Sequence, residues 1–131
     1  MAYEIRMLFD QVYSELGKGL VKQNGQNVVM YWGAPDANLL ASPQGCPIEV
    51  GVQVAAPFEN AGALISSATP AGTAATSAHF GPYDQMGKAY DAIYKWCADN
   101  ERRPAGPFWE VYGDWDDDPA RVRTDVYCLL A

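Results

Sequence analysis

The chain has 131 residues, enough for one domain with its own core, and its 49% hydrophobic and 19% charged residues give a globular rather than a disordered composition. A net charge of −7 at pH 7 disfavours contact with phosphate backbones, so no direct nucleic-acid partner is expected, while the same field favours cations at any cleft. The cysteines, Cys46, Cys97 and Cys128, follow no metal or redox spacing, and His79 is the one histidine, which argues against a Cys/His metal centre and for free thiols in a reducing cytoplasm. No apolar run nears the ~20 residues of a membrane span. The N-terminus also lacks the basic start and apolar core of a signal peptide.

Residues 3–23 read as a helix: Ile5, Leu8, Phe9, Val12, Leu16 and Leu20 recur at spacings of three and four, with Asn24-Gly25 as a left-handed stop. Residues 28–32 are β-branched and aromatic and read as a strand. The Gly-, Pro-, Asn- and Ser-rich stretch 33–47 reads as a loop. Ile48 to Val54 alternates, with Ile48, Val50, Val52 and Val54 on one face and Glu49, Gly51 and Gln53 on the other. Residues 63–68 and 73–80 are weaker strand candidates joined by a turn at 69–72. After the Gly81-Pro82 break a second helix runs over 83–99, with Met86, Ala89, Tyr90, Ile93, Trp96 and Cys97 as its apolar stripe. A loop at 104–107, a strand at 108–112, an acidic turn at 113–121 and a strand at 122–130 complete the chain.

This order is two strand–helix–strand–strand units with the first strand missing. The halves echo each other: Phe9 to Tyr13 resembles Tyr90 to Tyr94, Tyr31-Trp32-Gly33 sits where Val111-Tyr112-Gly113 sits, and Glu49 to Gln53 matches Asp125 to Leu129. The expected fold is α+β: one domain over 1–131, a curved antiparallel sheet with helices on one side and a concave ligand cleft on the other.

Three blocks in order, His79-Phe80-Gly81-Pro82-Tyr83, Phe108-Trp109-Glu110-Val111-Tyr112 and Thr124-Asp125-Val126-Tyr127, make the sequence resemble the GyrI-like small-molecule-binding family. That family comprises effector-binding domains of AraC-type and related regulators together with stand-alone relatives. The resemblance is closer over 48–131 than over the first 47 residues. It implies that Glu110 occupies an acidic ligand-contact position. Two departures stand out. The strand that normally precedes the first helix is absent, which leaves an open sheet edge or invites a strand from a second copy in a homodimer. No DNA-binding segment is found, so the chain is not expected to be a DNA-binding regulator itself.

By alternation, Glu110 and Tyr112 share one face of their strand, and Trp109 and Val111 share the other. Assigning the more apolar face to the helices sends Trp109 and Val111 inward and Glu110 and Tyr112 to the concave side. The repeat adds Met30 and Trp32 to that side, the last strand adds Tyr127 and Asp125, and the Ile48 strand adds Gln53 and a space at Gly51. Tyr83 stands at the entry to the second helix, as a ligand contact or a packing anchor. A one-residue error in register would move Trp32 to the helix face. On pattern alone, Glu110 could equally be a solvated edge residue. His79 reads as a structural residue beside a turn. Asp114 to Asp118 reads as a solvated acidic turn, since it lacks the closing Glu of a calcium loop. Trp115 caps the cleft or covers a hairpin end.

The expected ligand is a lipophilic organic cation. Aromatic faces attract a desolvated cation, and an unpaired buried carboxylate is costly. No cofactor and no metal are expected. The first functional reading is therefore a stand-alone, non-enzymatic binder of drug-like or metabolite cations. The resemblance also allows a hydrolase of reactive cyclopropane-containing compounds, with Glu110 positioning or deprotonating water. It further allows a protein-interaction role such as gyrase modulation through the acidic surface.

Overall fold

The computed structural model describes residues 3–18, 23–32, 48–56, 58–59, 64–114 and 116–131. The expected loop at 33–47, with Cys46, lies outside the described residues, as do Trp115, residues 19–22 of the expected first helix and Ala63 at the head of a weak strand candidate.

Helix α1 spans Tyr3–Leu16 and buries Phe9 and Val12, which its three-and-four spacing places on one stripe. It ends earlier than its periodicity suggests. The Gly17 amide still bonds to the Tyr13 carbonyl at 3.0 Å, but the Lys18 amide turns in to Glu15 at 3.1 Å, the tightening typical of a last turn. Glycine at 17 costs helix propensity at that point. Strand β1, Gln23–Tyr31, then starts well before the expected Val28. Asn24-Gly25 is not a helix stop. Gly25, at φ 136°, sits where the β1 register shifts between Gln23 and Asn27, an extra-residue bulge inside the strand.

Strand β2 is Ile48–Val54, as its alternation requires. The 63–68 candidate supplies only an isolated bridge residue, Leu64, and no strand. Strand β3 is Ala74–Phe80, followed by a single 3-10 turn at Tyr83–Gln85 and helix α2, Gly87–Asp99. Strand β4, Pro104–Tyr112, takes in the expected 104–107 loop, with a register shift before Phe108. In the acidic turn, Asp116 and Asp118 each accept a backbone N–H, from Asp118 at 2.8 Å and Ala120 at 3.1 Å, and strand β5, Arg123–Leu130, closes the chain.

The five strands form one open antiparallel sheet in the order β2-β1-β4-β5-β3. The repeat is visible in this order. The pair β1 and β4 lies at the centre, β2 and β5 flank it, and β3 lies outside β5. Among the described residues no strand lies beyond β2 to balance β3. The curved sheet carries both helices on one face. Phe9 of α1 meets the Tyr112 ring edge-on at 6.4 Å, and Tyr90 and Tyr94 of α2 meet Phe108 at 5.2 and 5.8 Å. Two apolar clusters result, one under α1 with Val29, Tyr31 and Tyr112, the other under α2 with Phe108, Val126 and Cys128.

The other face is also covered. Trp109 is only 7% exposed and Met30 4%, although neither faces a helix. The chain from β2 to β3 must pass from one edge of the sheet to the other. Ser67, in that connection, donates to Glu49 at 2.7 Å, and Glu49 is the register partner of Met30. Trp109 stacks flat on its cross-strand partner Tyr127, with centroids 5.4 Å apart and planes 5° from parallel.

Candidate functional site

Cross-strand partners share a face, so the register assigns every strand residue to a side. Val29 pairs with Glu110, Tyr31 with Phe108, and Glu110 in turn with Val126. Phe108 and Tyr112 touch the helices, so Glu110 between them points toward the helices too. The face assignment made from the sequence is thereby reversed for β4: Glu110 and Tyr112 look inward, and Trp109 and Val111 look away. The reason is physical. The face test assumed that one side of the sheet is covered and the other bare, whereas Phe108 and Trp109 are both buried, one against the helices and one on the opposite face, where it stacks on Tyr127. The acid therefore lies in the space between sheet and helices.

Glu110 is 5% exposed. Three phenols donate to its carboxylate. Tyr112, two residues along the same strand, reaches Oε1 at 2.6 Å. Tyr31 reaches the same oxygen from β1 at a weaker 3.5 Å. Tyr90 of α2 donates to Oε2 in a short hydrogen bond. Tyr83 closes the ring of aromatics, edge-on to Tyr112 at 5.4 Å. Each element supplies its part for a local reason: Tyr31, Glu110 and Tyr112 sit on the inward parity of adjoining central strands, and Tyr90 lies one turn ahead of Ile93 on the inner stripe of α2.

Burial raises the Glu110 carboxyl above the usual carboxylate range. Hydrogen bonds from Tyr112, Tyr90 and Tyr31 and the charge of His79 oppose this by favouring the anion, without cancelling it. Burial and then the Glu110 charge hold the Tyr90 and Tyr112 protons tightly, so both phenols remain donors. Among the described residues the ion pairs are Lys18–Glu15, Lys95–Asp99, Arg121–Asp118 and Arg123–Asp125, and none includes Glu110. A desolvated acid with no ion-pair partner among the described residues is left short of positive charge.

The other residues singled out in the sequence are distributed as follows. Met30, Tyr127 and Gln53 lie on the face away from Glu110 and are not brought to it. Gln53 is engaged elsewhere: its side-chain oxygen accepts the Gln26 amide at 2.8 Å and braces the β1 bulge. Trp32 follows the end of β1 and is 44% exposed. Gly51 shares the outer face, so its missing side chain opens no room beside the acid. His79 is buried on the inner face, and its Nε2–H donates to the Pro82 carbonyl at 2.9 Å, bracing the turn into α2. Tyr31, Tyr90 and Phe9 were not expected in the site. The signal for Tyr31 was present in the repeat. The interval that takes Phe9 to Tyr90 and Tyr13 to Tyr94 also takes Tyr31 to Tyr112, whereas matching Trp32 with Tyr112 is one residue out.

A buried acid ringed by aromatics between sheet and helices has the form of a small-molecule cleft. The comparisons with known proteins agree with it. The family model described as a GyrI-like small molecule binding domain matches residues 4–131. Among solved structures, the crystal structure of the EcmrR C-terminal domain aligns with a TM-score of 0.78 and 23% identity over 95% of this chain and 80% of that one. EcmrR in the cryo-EM structure of its DNA complex aligns with a TM-score of 0.78 and 22% identity over 97% of this chain and 48% of that one, so the present chain spans about half the length of that protein. At these identities the likeness is one of fold. No curated protein matches the sequence. The family match covers nearly the whole chain, and the chain belongs to the GyrI-like small-molecule-binding domain family.

Proposed function

We propose that the cleft around Glu110 binds a lipophilic organic cation without transforming it. The observation that carries this reading is a carboxylate 5% exposed, held by three phenols and in no ion pair among the described residues. A bound cation supplies the missing charge to a desolvated acid, and the surrounding rings attract it through their faces. Glu110, Tyr112 and Tyr83 act as ligand contacts, joined by Tyr31 and Tyr90. The molecule works as a sensing or sequestering module in the cytoplasm, in keeping with the free thiols of Cys97 and Cys128, and makes no direct contact with nucleic acid. No helix among the described residues is long and apolar enough to cross a membrane. A second copy adds a strand beyond β2, the edge whose counterpart β5 is covered by β3. Light scattering would read that dimer.

The test is a thermal shift series with tetraphenylphosphonium and the neutral triphenylphosphine oxide, on the wild type and on Glu110→Gln. The wild type is stabilised by the cation and not by the oxide, and the variant loses the distinction. Equal stabilisation by both compounds would overturn the role given to the charge.

The raised proton affinity of Glu110 favours one further reading, a hydrolase in which the carboxylate takes a proton from an attacking water. Turnover of a cyclopropane-containing electrophile, lost in Glu110→Gln while binding of the compound persists, distinguishes it from simple binding.

A further inference from the structure

Strand β5 places a second polar group in the same hollow. Thr124 pairs with Tyr112 on one side and with His79 on the other, and both partners are on the helix-facing side of the sheet. Thr124 is 0% exposed, and its hydroxyl has no hydrogen-bond partner among the described residues. The protons of its neighbours are directed elsewhere: the Tyr112 hydroxyl donates to Glu110 and His79 Nε2–H to the Pro82 carbonyl. A fully buried hydroxyl is expected to be paired. One left open one residue pair along from a buried acid marks a place where an outside group completes the bond. Glu110 and Thr124 are diagonal neighbours across β4 and β5, a separation of about 7–8 Å between backbone positions that a single small molecule can span.

We propose that Thr124 Oγ1 is a second, neutral polar contact of the Glu110 cleft, and that the ligand is an organic cation carrying a hydroxyl or carbonyl group at its far end. This rests on the reading of the cleft as a cation site and adds a selectivity to it. The threonine hydroxyl both donates and accepts, so either group serves. The hydrocarbon between the two polar ends lies against Tyr112, the register partner of Thr124 and a donor to Glu110.

The experiment compares benzyltrimethylammonium with (4-hydroxybenzyl)trimethylammonium by calorimetry on the full chain, on Thr124→Val and on Thr124→Ser. The wild type prefers the hydroxylated cation roughly 3- to 10-fold, the yield of one neutral hydrogen bond. Thr124→Ser keeps the preference and Thr124→Val brings the ratio to about one. Should Thr124→Val fail to fold, Thr124→Ala, which only removes atoms, takes its place. Equal affinity of the wild type for the two cations overturns the proposal and leaves the cation site standing. A preference that persists in Thr124→Val also overturns it and assigns the hydroxyl contact elsewhere. A Thr124→Val that loses stability with an unchanged ratio means that a structural water fills the place. If the wild type binds neither cation, the cation reading itself falls.

Discussion

The Tyr112 hydroxyl donates to Glu110 Oε1 at 2.6 Å from two residues farther along the same strand, so β4 carries both the acid and its best-placed donor on one face. Tyr31 adds a donor from β1 and Tyr90 one from α2. The carboxylate therefore ties the two halves of the sheet to the second helix. Protonation of the acid and docking of α2 meet at a single side chain.

That coupling sets a pH dependence. Unfolded, Glu110 titrates in the ordinary carboxylate range; folded, it titrates above it. Between the two values the folded state holds the additional proton, so stability is full below the ordinary range and falls as pH rises through the folded value. For one proton the slope is at most ~1.4 kcal/mol per pH unit. A bound cation prefers the anion, so its affinity rises with pH over the same window and binding releases a proton. Urea unfolding of the wild type and Glu110→Gln from about pH 5 to about pH 8 measures it. The wild type loses stability toward the upper end relative to the variant. Parallel profiles would mean that another group carries the proton.

The three phenols differ in strength and can be ranked. Tyr112→Phe removes a 2.6 Å donor to a charged oxygen, a bond worth about 1.5–3 kcal/mol, and Tyr31→Phe removes one at 3.5 Å, which lies outside good geometry and is worth a few tenths of that. Each loss takes away a contact that favours the anion, so Glu110 titrates higher still. In Tyr112→Phe the cation-binding pH profile moves upward and recovers in alkaline solution, while Tyr31→Phe moves it little. An equal displacement in both variants would contradict the geometry.

Much of this arrangement was legible in the sequence. The β2 alternation, the α2 stripe and the duplicated order came from residue pattern, and the three blocks resembling the family singled out Glu110, which the fold buries among aromatics. The direction of Glu110 did not. Alternation tells which residues share a face, never which face the helices take, and on β4 both faces carry large apolar groups, Phe108 on one and Trp109 on the other. A polar residue marks the outside only when one side is bare. The correct reading lay in the register of the repeat, where Tyr31 rather than Trp32 answers Tyr112, and a one-residue slip moves a whole strand's side chains across the sheet. Tyr90 was placed on its helix stripe as core, because periodicity identifies a buried side chain without saying that its hydroxyl needs a partner.

The two faces can be separated by mutation. Tyr127→Leu removes the flat stack on Trp109, a loss of about 0.5–1.5 kcal/mol, and touches nothing on the Glu110 side. Trp109→Ala costs more, about 3–5 kcal/mol, through the cavity it leaves. Denaturation reads both losses, and the cation affinity of the folded Tyr127→Leu protein equals that of the wild type. A loss of cation binding in that variant would put the ligand on the outer face and undo the placement made here.

Gly25 ties the β1 bulge to the end of β2. At φ 136° it occupies backbone space that residues with a side chain rarely enter, and a Cβ there would lie 2.4 Å from Gln53 Oε1. That same oxygen accepts the Gln26 amide at 2.8 Å, so the added methyl group both strains the backbone and displaces a hydrogen bond. Gly25→Ala is expected to cost about 1–3 kcal/mol. Gln53→Ala alone costs about 1 kcal/mol, the worth of the lost bond. In the double variant the amide end of the obstacle is gone and the bond is already lost, although the Cβ of residue 53 still lies 2.8 Å from the added methyl group, so the combined cost falls short of the sum by ~0.5 kcal/mol. Additive costs would show that the penalty at Gly25 is purely conformational and that Gln53 does not brace the bulge.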